Sequence, residues 1–103
     1  MVQETPPTAD ELQFGNDAGD SLVGRRLLFN WDGVGWCEGV VRSRNQNKRY
    51  KMGGDYVNFW VYYSLDQNES AHVLELEGYA YGDEAEGDSW VLLSEEMAEG
   101  DGL

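Results

Sequence analysis

Residues 22–43, "LVGRRLLFNWDGVGWCEGVVRS", decide the fold. The second half of the first run alternates, with Leu27, Phe29 and Trp31 on one face and Leu28 and Asn30 on the other. A period of two marks a half-buried strand. Asp-Gly-Val-Gly follows, a glycine-containing connection suited to a hairpin, and "WCEGVVRS" (36–43) supplies the returning strand. Gly39, inside that strand, fits a bulge or sharp bend. Trp31 and Trp36 bracket the tip, where aromatic side chains either pack or meet a ligand.

Working outward, "YVNFWVYY" (56–63) is the clearest further strand, nearly all β-branched or aromatic. Val57, Phe59, Val61 and Tyr63 form one face; Asn58, Trp60 and Tyr62 form the other. "AHVLEL" (71–76) and "SWVLL" (89–93) are shorter candidates, separated by the acidic loop "EGYAYGDEAEGD". Five short strands with turn-rich connections predict a small antiparallel barrel. Phe29, Phe59, Trp60 and Trp90 are expected in its core. Helix signals are confined to residues 9–12 and 94–100.

The chain has 103 residues, 41 % of them apolar, enough for one small domain with a real core. Its two prolines are adjacent, Pro6 and Pro7, ahead of an acidic, turn-rich stretch. Residues 1–20 are therefore expected to be a disordered acidic arm, 21–95 the folded domain, and 96–103 a disordered tail. Net charge is −13 and unevenly spread. Residues 25–51 hold all seven basic residues, whereas residues 52–103 hold thirteen acids and no base. Such a field repels phosphate backbones and attracts cationic partners.

Cys37 is the single cysteine, which excludes an internal disulfide and a cysteine-based metal cluster. No apolar run is long enough for a membrane span, and no basic-then-apolar leader opens the chain, so an intracellular protein without membrane contact is expected. "NES" at Asn68 matches a glycosylation sequon, read as coincidence in that setting. His72 sits in a strand pattern with no partner for a relay or a metal site. Phosphate-loop and dinucleotide fingerprints are absent, and no Ser-His-Asp, Cys-His or paired-carboxylate arrangement can be assembled. No enzyme, catalytic residue, metal or cofactor is expected.

"VGRRLLFNWDGVGWCEGVV" resembles the first hairpin of Tudor-like domains, including the Agenet type, within the chromatin-associated group of SH3-like barrels. Gly24, Trp31, Asp32, Gly33, Trp36, Gly39, Val40 and Val41 fit that pattern. "FWVYYSLD" (59–66) resembles the family's third strand, and "SWVLL" its closing one. The resemblance implies an all-β fold, a five-stranded antiparallel SH3-like barrel with disordered acidic termini, working in the nucleus as a monomeric reader of a basic peptide such as a histone tail. It also implies an aromatic cage for methylated lysine or arginine, since a methylated ammonium is bulky, weakly hydrated and attracted to aromatic faces. Trp31 matches the first cage position. The second falls at Trp36 or Cys37, and the third at Tyr63, or at Tyr62 if the register slips. Asp66 stands where a further aromatic is expected, either as a rim carboxylate or as a turn residue. Asn68 falls where dimethylarginine readers carry an Asn.

Two other functions remain open. "RSRNQNKRYK" (42–51) could contact nucleic acid through Arg42, Arg44, Lys48, Arg49 and Lys51 with Tyr50 stacking on a base. The milder reading is a solvated hairpin whose cations balance the acidic loop 83–88. An adaptor domain, its aromatics merely filling space, is the third.

Overall fold

A computed structural model describes residues 1–94. The expected 96–103 tail lies outside the described residues. Seven strands run in order: β1 (Arg26–Trp31), β2 (Gly35–Arg44), β3 (Lys51–Met52), β4 (Asp55–Tyr56), β5 (Phe59–Tyr63), β6 (Asn68–His72) and β7 (Trp90–Leu92). Five of them form one antiparallel sheet in the order β6-β5-β2-β1-β7, and β3 pairs with β4 in a separate ribbon. The regular structure of the described residues is thus mostly strand, with a four-strand meander and a last strand that returns beside the first.

The β1–β2 hairpin sets the inner face. Trp31 lies opposite Gly35, Phe29 opposite Cys37 and Leu27 opposite Gly39, so these six residues share one side. Its turn closes by a hydrogen bond from the Val34 N–H to the Trp31 carbonyl (2.9 Å), with Gly33 at φ 82°, a left-handed value that favours glycine. On β5, Phe59, Val61 and Tyr63 point inward, and they alternate with the half-buried Trp60 and Tyr62. Leu27, Val41, Phe59, Val61, Trp90 and Leu92 meet in the core, joined by Leu12, Leu22 and Leu74.

Gly39 does not make the bulge expected of it. It pairs in register with Leu27, while the irregularity in β2 falls between Val41 and Ser43. What Gly39 supplies is space: a Cβ there would come within 2.7 Å of Val61 Cγ1 and 2.8 Å of Tyr63 Cε1.

Several expectations are corrected. Residues 1–20 are packed rather than forming a disordered arm. Thr8 caps the short helix α1 (Ala9–Leu12) in a reciprocal capping box with Glu11, and a 3-10 helix spans Asp17–Leu22. Leu12 and Leu22 enter the core, and the amide Nδ2 of buried Asn58 donates to the Leu12 carbonyl (2.8 Å). At the other side of the sheet, Val2 bridges Leu93, and the Gln3 N–H donates to the Leu92 carbonyl (2.8 Å). The fourth strand of the meander begins earlier than "AHVLEL", at Asn68, and Leu74 follows it as a buried loop residue. Trp60 is half-buried on the outer face, with Tyr50 edge-on against it, rather than in the core.

Gly39→Ala is expected to destabilise the domain by about 1–3 kcal/mol, because Val61 and the Tyr63 ring must yield to an added methyl. Urea unfolding measures this, and a variant within about 0.5 kcal/mol of the parent protein would refute the close-approach account.

Candidate functional site

The inner face runs out at the end of the sheet where the β1–β2 and β5–β6 turns lie side by side. There the chain encloses a pocket of about 320 Å³, at the lower end of small-ligand sites. β1 contributes Trp31, the turn contributes Asp32 and Val34, β2 contributes Cys37, and β5 contributes Tyr63. Leu65 and Asp66 come from the next turn, and Ser70 from β6.

Trp31 and Tyr63 form the aromatic part. Their ring centroids are 5.6 Å apart with planes at 69°, so the two rings make a corner. Tyr63 is only 4 % exposed. Its hydroxyl is engaged inward, 2.9 Å from His72 Nε2. Burial, followed by the Cys37 thiol and the Asp66 carboxylate, pushes the phenol well above its ordinary pKa. Tyr63 therefore offers the pocket its ring and not a proton.

His72 lies behind that corner, buried, with its ring 5.3 Å from Trp31 and 4.3 Å from Phe29. Burial in this aromatic setting pushes its pKa down to about 4. The imidazole is accordingly neutral at physiological pH, and its structural task is to fix the Tyr63 hydroxyl.

The rim is acidic and apolar. Asp32 and Asp66 are both exposed, and no Lys or Arg lines the pocket. Val34 and Leu65, 73 % and 79 % exposed, project at the two turn tips. Large apolar side chains left in solvent at adjacent turns form a patch suited to a ligand.

Other candidate residues fall elsewhere. Trp36 pairs across the hairpin with Asn30 and so faces away from Trp31; its ring packs against Tyr81 at 4.8 Å. Cys37, one residue on, faces the pocket instead. Tyr62 is likewise on the outer face, where the Arg42 guanidinium stacks 4.6 Å from its ring centroid. Asn68 is opposite Tyr63 but exposed and outside the pocket lining. Ser70, Val34 and Leu65 were not singled out in the sequence. The apolar residues at turn positions were the visible signal for the last two, whereas Ser70 required the register of β6.

The basic segment 42–51 is not a hairpin balancing residues 83–88. The Arg44 side chain is 7 % exposed and reaches Asp20 (2.9 Å) and Asp17 (3.1 Å) in the 3-10 helix. Arg42 also lies 3.6 Å from Glu69, and the Lys51 ammonium sits 4.9 Å from the Tyr56 ring centroid. Lys48 and Arg49 are exposed on the turn, and Tyr50 is 45 % exposed.

Compared with family models, curated proteins and solved structures, the chain matches none.

The lowered His72 pKa has a consequence for stability. The unfolded imidazole binds a proton near pH 6.5 and the folded one only near pH 4. Stability from this group is therefore full above pH 6.5 and is lost as pH falls toward 4, by at most about 1.4 kcal/mol per unit. Urea unfolding between about pH 5 and 7 is expected to show this slope, and His72→Gln to flatten it. An unchanged slope in the variant would remove His72 as its source.

Proposed function

We propose that the chain is a non-enzymatic binding domain of the Tudor-like, SH3-like barrel type, which takes a basic peptide carrying methylated lysine or arginine. The observation that carries this reading is the corner of Trp31 and Tyr63 set beside two carboxylates, Asp32 and Asp66, in one pocket. The strand order supports the fold assignment, since a meander whose last strand returns to the first is the connectivity such a barrel needs.

The chemistry follows from the parts. A methylated ammonium or guanidinium keeps its charge but loses hydration, so it gains from aromatic faces that an ordinary lysine would reach only after costly desolvation. Tyr63 has its hydroxyl tied to His72, so its ring is held in place before any ligand arrives. Asp32 and Asp66 add Coulomb attraction at the mouth, where water remains, and Val34 and Leu65 contact the peptide's aliphatic parts. Two aromatic walls and an open acidic side fit a bulky cation attached to a chain. A histone tail, met as a monomer in the nucleus, is the partner class this reading favours.

Binding of a methylated basic peptide and its unmethylated counterpart, followed calorimetrically at two salt concentrations, tests the reading. Trp31→Ala is expected to weaken the methylated peptide by about two- to thirtyfold and the unmethylated one less, while Trp31→Phe retains part of the preference. Asp66→Asn should weaken both and reduce the salt dependence. Equal affinity for the two peptides, in the parent protein and in Trp31→Phe alike, would overturn the proposal. Tyr63→Ala is a poorer probe, because Tyr63 is part of the core.

A further inference from the structure

β6 is an outer strand of the sheet, paired with β5 on one side and with no strand on the other among the described residues. The edge beyond β7 is occupied, since Val2 bridges Leu93 and the Gln3 N–H donates to the Leu92 carbonyl. The two edges therefore differ, and β6 is the one left open.

The register tells which backbone groups point outward there. Successive residues of an antiparallel strand turn their N–H and carbonyl groups to opposite sides. The Val41 N–H donates to the Arg25 carbonyl, so Val41 faces β1 and Val40 faces β5. Val40 is opposite Tyr62, so Tyr62 faces β2, whereas Val61 and Tyr63 face β6. Their partners Ser70 and Asn68 are thus bonded to β5, and Glu69 and Ala71 turn their N–H and carbonyl groups to the open edge. None of these four groups has a hydrogen-bond partner among the described residues.

The same strand lines the hollow around Trp31. Ser70, between Glu69 and Ala71, lines the pocket of about 320 Å³. A further cavity of about 290 Å³ shares Trp31 with it and is lined by Ala71, His72 and Val73 together with Phe29 and Trp90. The lining therefore follows the chain without a break from Ser70 to Val73, alongside the open edge.

We propose that the basic peptide held at Trp31 and Tyr63 lies extended along β6 and adds to the five-stranded sheet as a further strand. The inference rests on the peptide-binding reading above and deepens it by giving the peptide backbone a partner. An extended chain beside β6 meets Glu69 and Ala71 with its own N–H and carbonyl groups, a source of affinity independent of side-chain identity. Its side chains project alternately to the two faces of the enlarged sheet, and one on the face of Ser70 enters the pocket. The contact spans only two outward-facing residues of β6, so it adds to the pocket's affinity and leaves selectivity with Trp31 and Tyr63. Charge selects a basic peptide over a second copy of the chain. No Lys or Arg lines either cavity, and two copies at net charge −13 repel each other, whereas a cationic strand is attracted.

Amide hydrogen exchange of the full chain, with and without a saturating basic peptide carrying one trimethyllysine, tests the inference. The Glu69 and Ala71 amides are expected to slow by about tenfold or more with peptide, whereas that of Ser70, already bonded to β5, changes little. Backbone N-methylation of the peptide at alternate positions should weaken binding by about two- to tenfold on one parity and leave the other unchanged. Both measurements use the parent protein. Ala71→Pro removes an outward N–H and spares the ladder with β5. It should weaken methylated and unmethylated peptides alike and keep the preference between them. A peptide that binds while the Glu69 and Ala71 amides exchange as before, or that tolerates N-methylation on both parities, would overturn strand addition and leave the pocket reading standing. Protection of those amides that rises with protein concentration, without peptide, would overturn it too and give the edge to a second copy. Failure of the peptide to bind at all would remove the pocket reading and this inference with it.

Discussion

The side chain of Asn58 holds the architecture together. Its Nδ2 donates to the Leu12 carbonyl (2.8 Å) and the Leu74 carbonyl (3.0 Å), and its Oδ1 accepts from the Leu74 N–H (2.9 Å). Its backbone N–H and carbonyl are also taken, by His72 and Asn45. One buried amide therefore joins the N-terminal helix, the start of β5 and the chain leaving β6. With all of these bonds made, burying it costs little, and each becomes stronger away from water. The consequence reaches the site: β5 is fixed at its first residues, so Phe59, Val61 and Tyr63 enter the core in a single register. A slip of one residue would exchange Tyr63 for Tyr62.

That exchange shows how far the sequence could be read. Alternation along 27–31 and 56–63 was legible, because strands buried on one face impose a period of two, and so was the hairpin from its short glycine-containing connection, whereas the pairing of Trp31 with Gly35 came only from the structure. The same period separates Cys37 from Trp36, but deciding which of them faces Trp31 required the cross-strand register. Ser70 was hidden for a similar reason: its place depends on β6 starting at Asn68. The N-terminal segment misled through composition. Leu12 and Leu22 stand singly among acids and turn residues, and only tertiary partners, the core and Asn58, show that they are packed. Gly39 was noticed, but its purpose lay in a neighbour twenty-two positions away, Val61.

The uneven charge along the chain is largely resolved within it. Arg25 donates to Gln3 Oε1 (2.6 Å) and the Leu93 carbonyl (3.0 Å), Arg26 meets Glu38 (3.2 Å), and Arg44 lies under the 3-10 helix between Asp17 and Asp20. Gly19 makes the last arrangement feasible, since a Cβ there would come within 2.8 Å of Arg44 Cδ. Much of the basic segment is thus spent on attaching the N-terminal region and on covering aromatic rings. Asp32 and Asp66 at the pocket have no counterion among the described residues, so their field is directed outward at whatever approaches the end of the sheet.

The contact of Val2 with Leu93 bears on how the protein behaves in concentrated solution. The edge of a sheet presents alternate N–H and carbonyl groups that any extended chain can use, including a second copy. Residues 1–3 occupy that edge along β7, with Gln3 donating to Leu92 and Ser94 donating to Met1. Tyr79 clamps them there, its hydroxyl donating to the Gln3 carbonyl (2.6 Å) and accepting from the Leu92 N–H (3.1 Å). β7 is the most apolar strand of the sheet, buried on both faces. A few N-terminal residues that add little to the core therefore act as a shield against aggregation, keeping the stickiest strand from serving as a template.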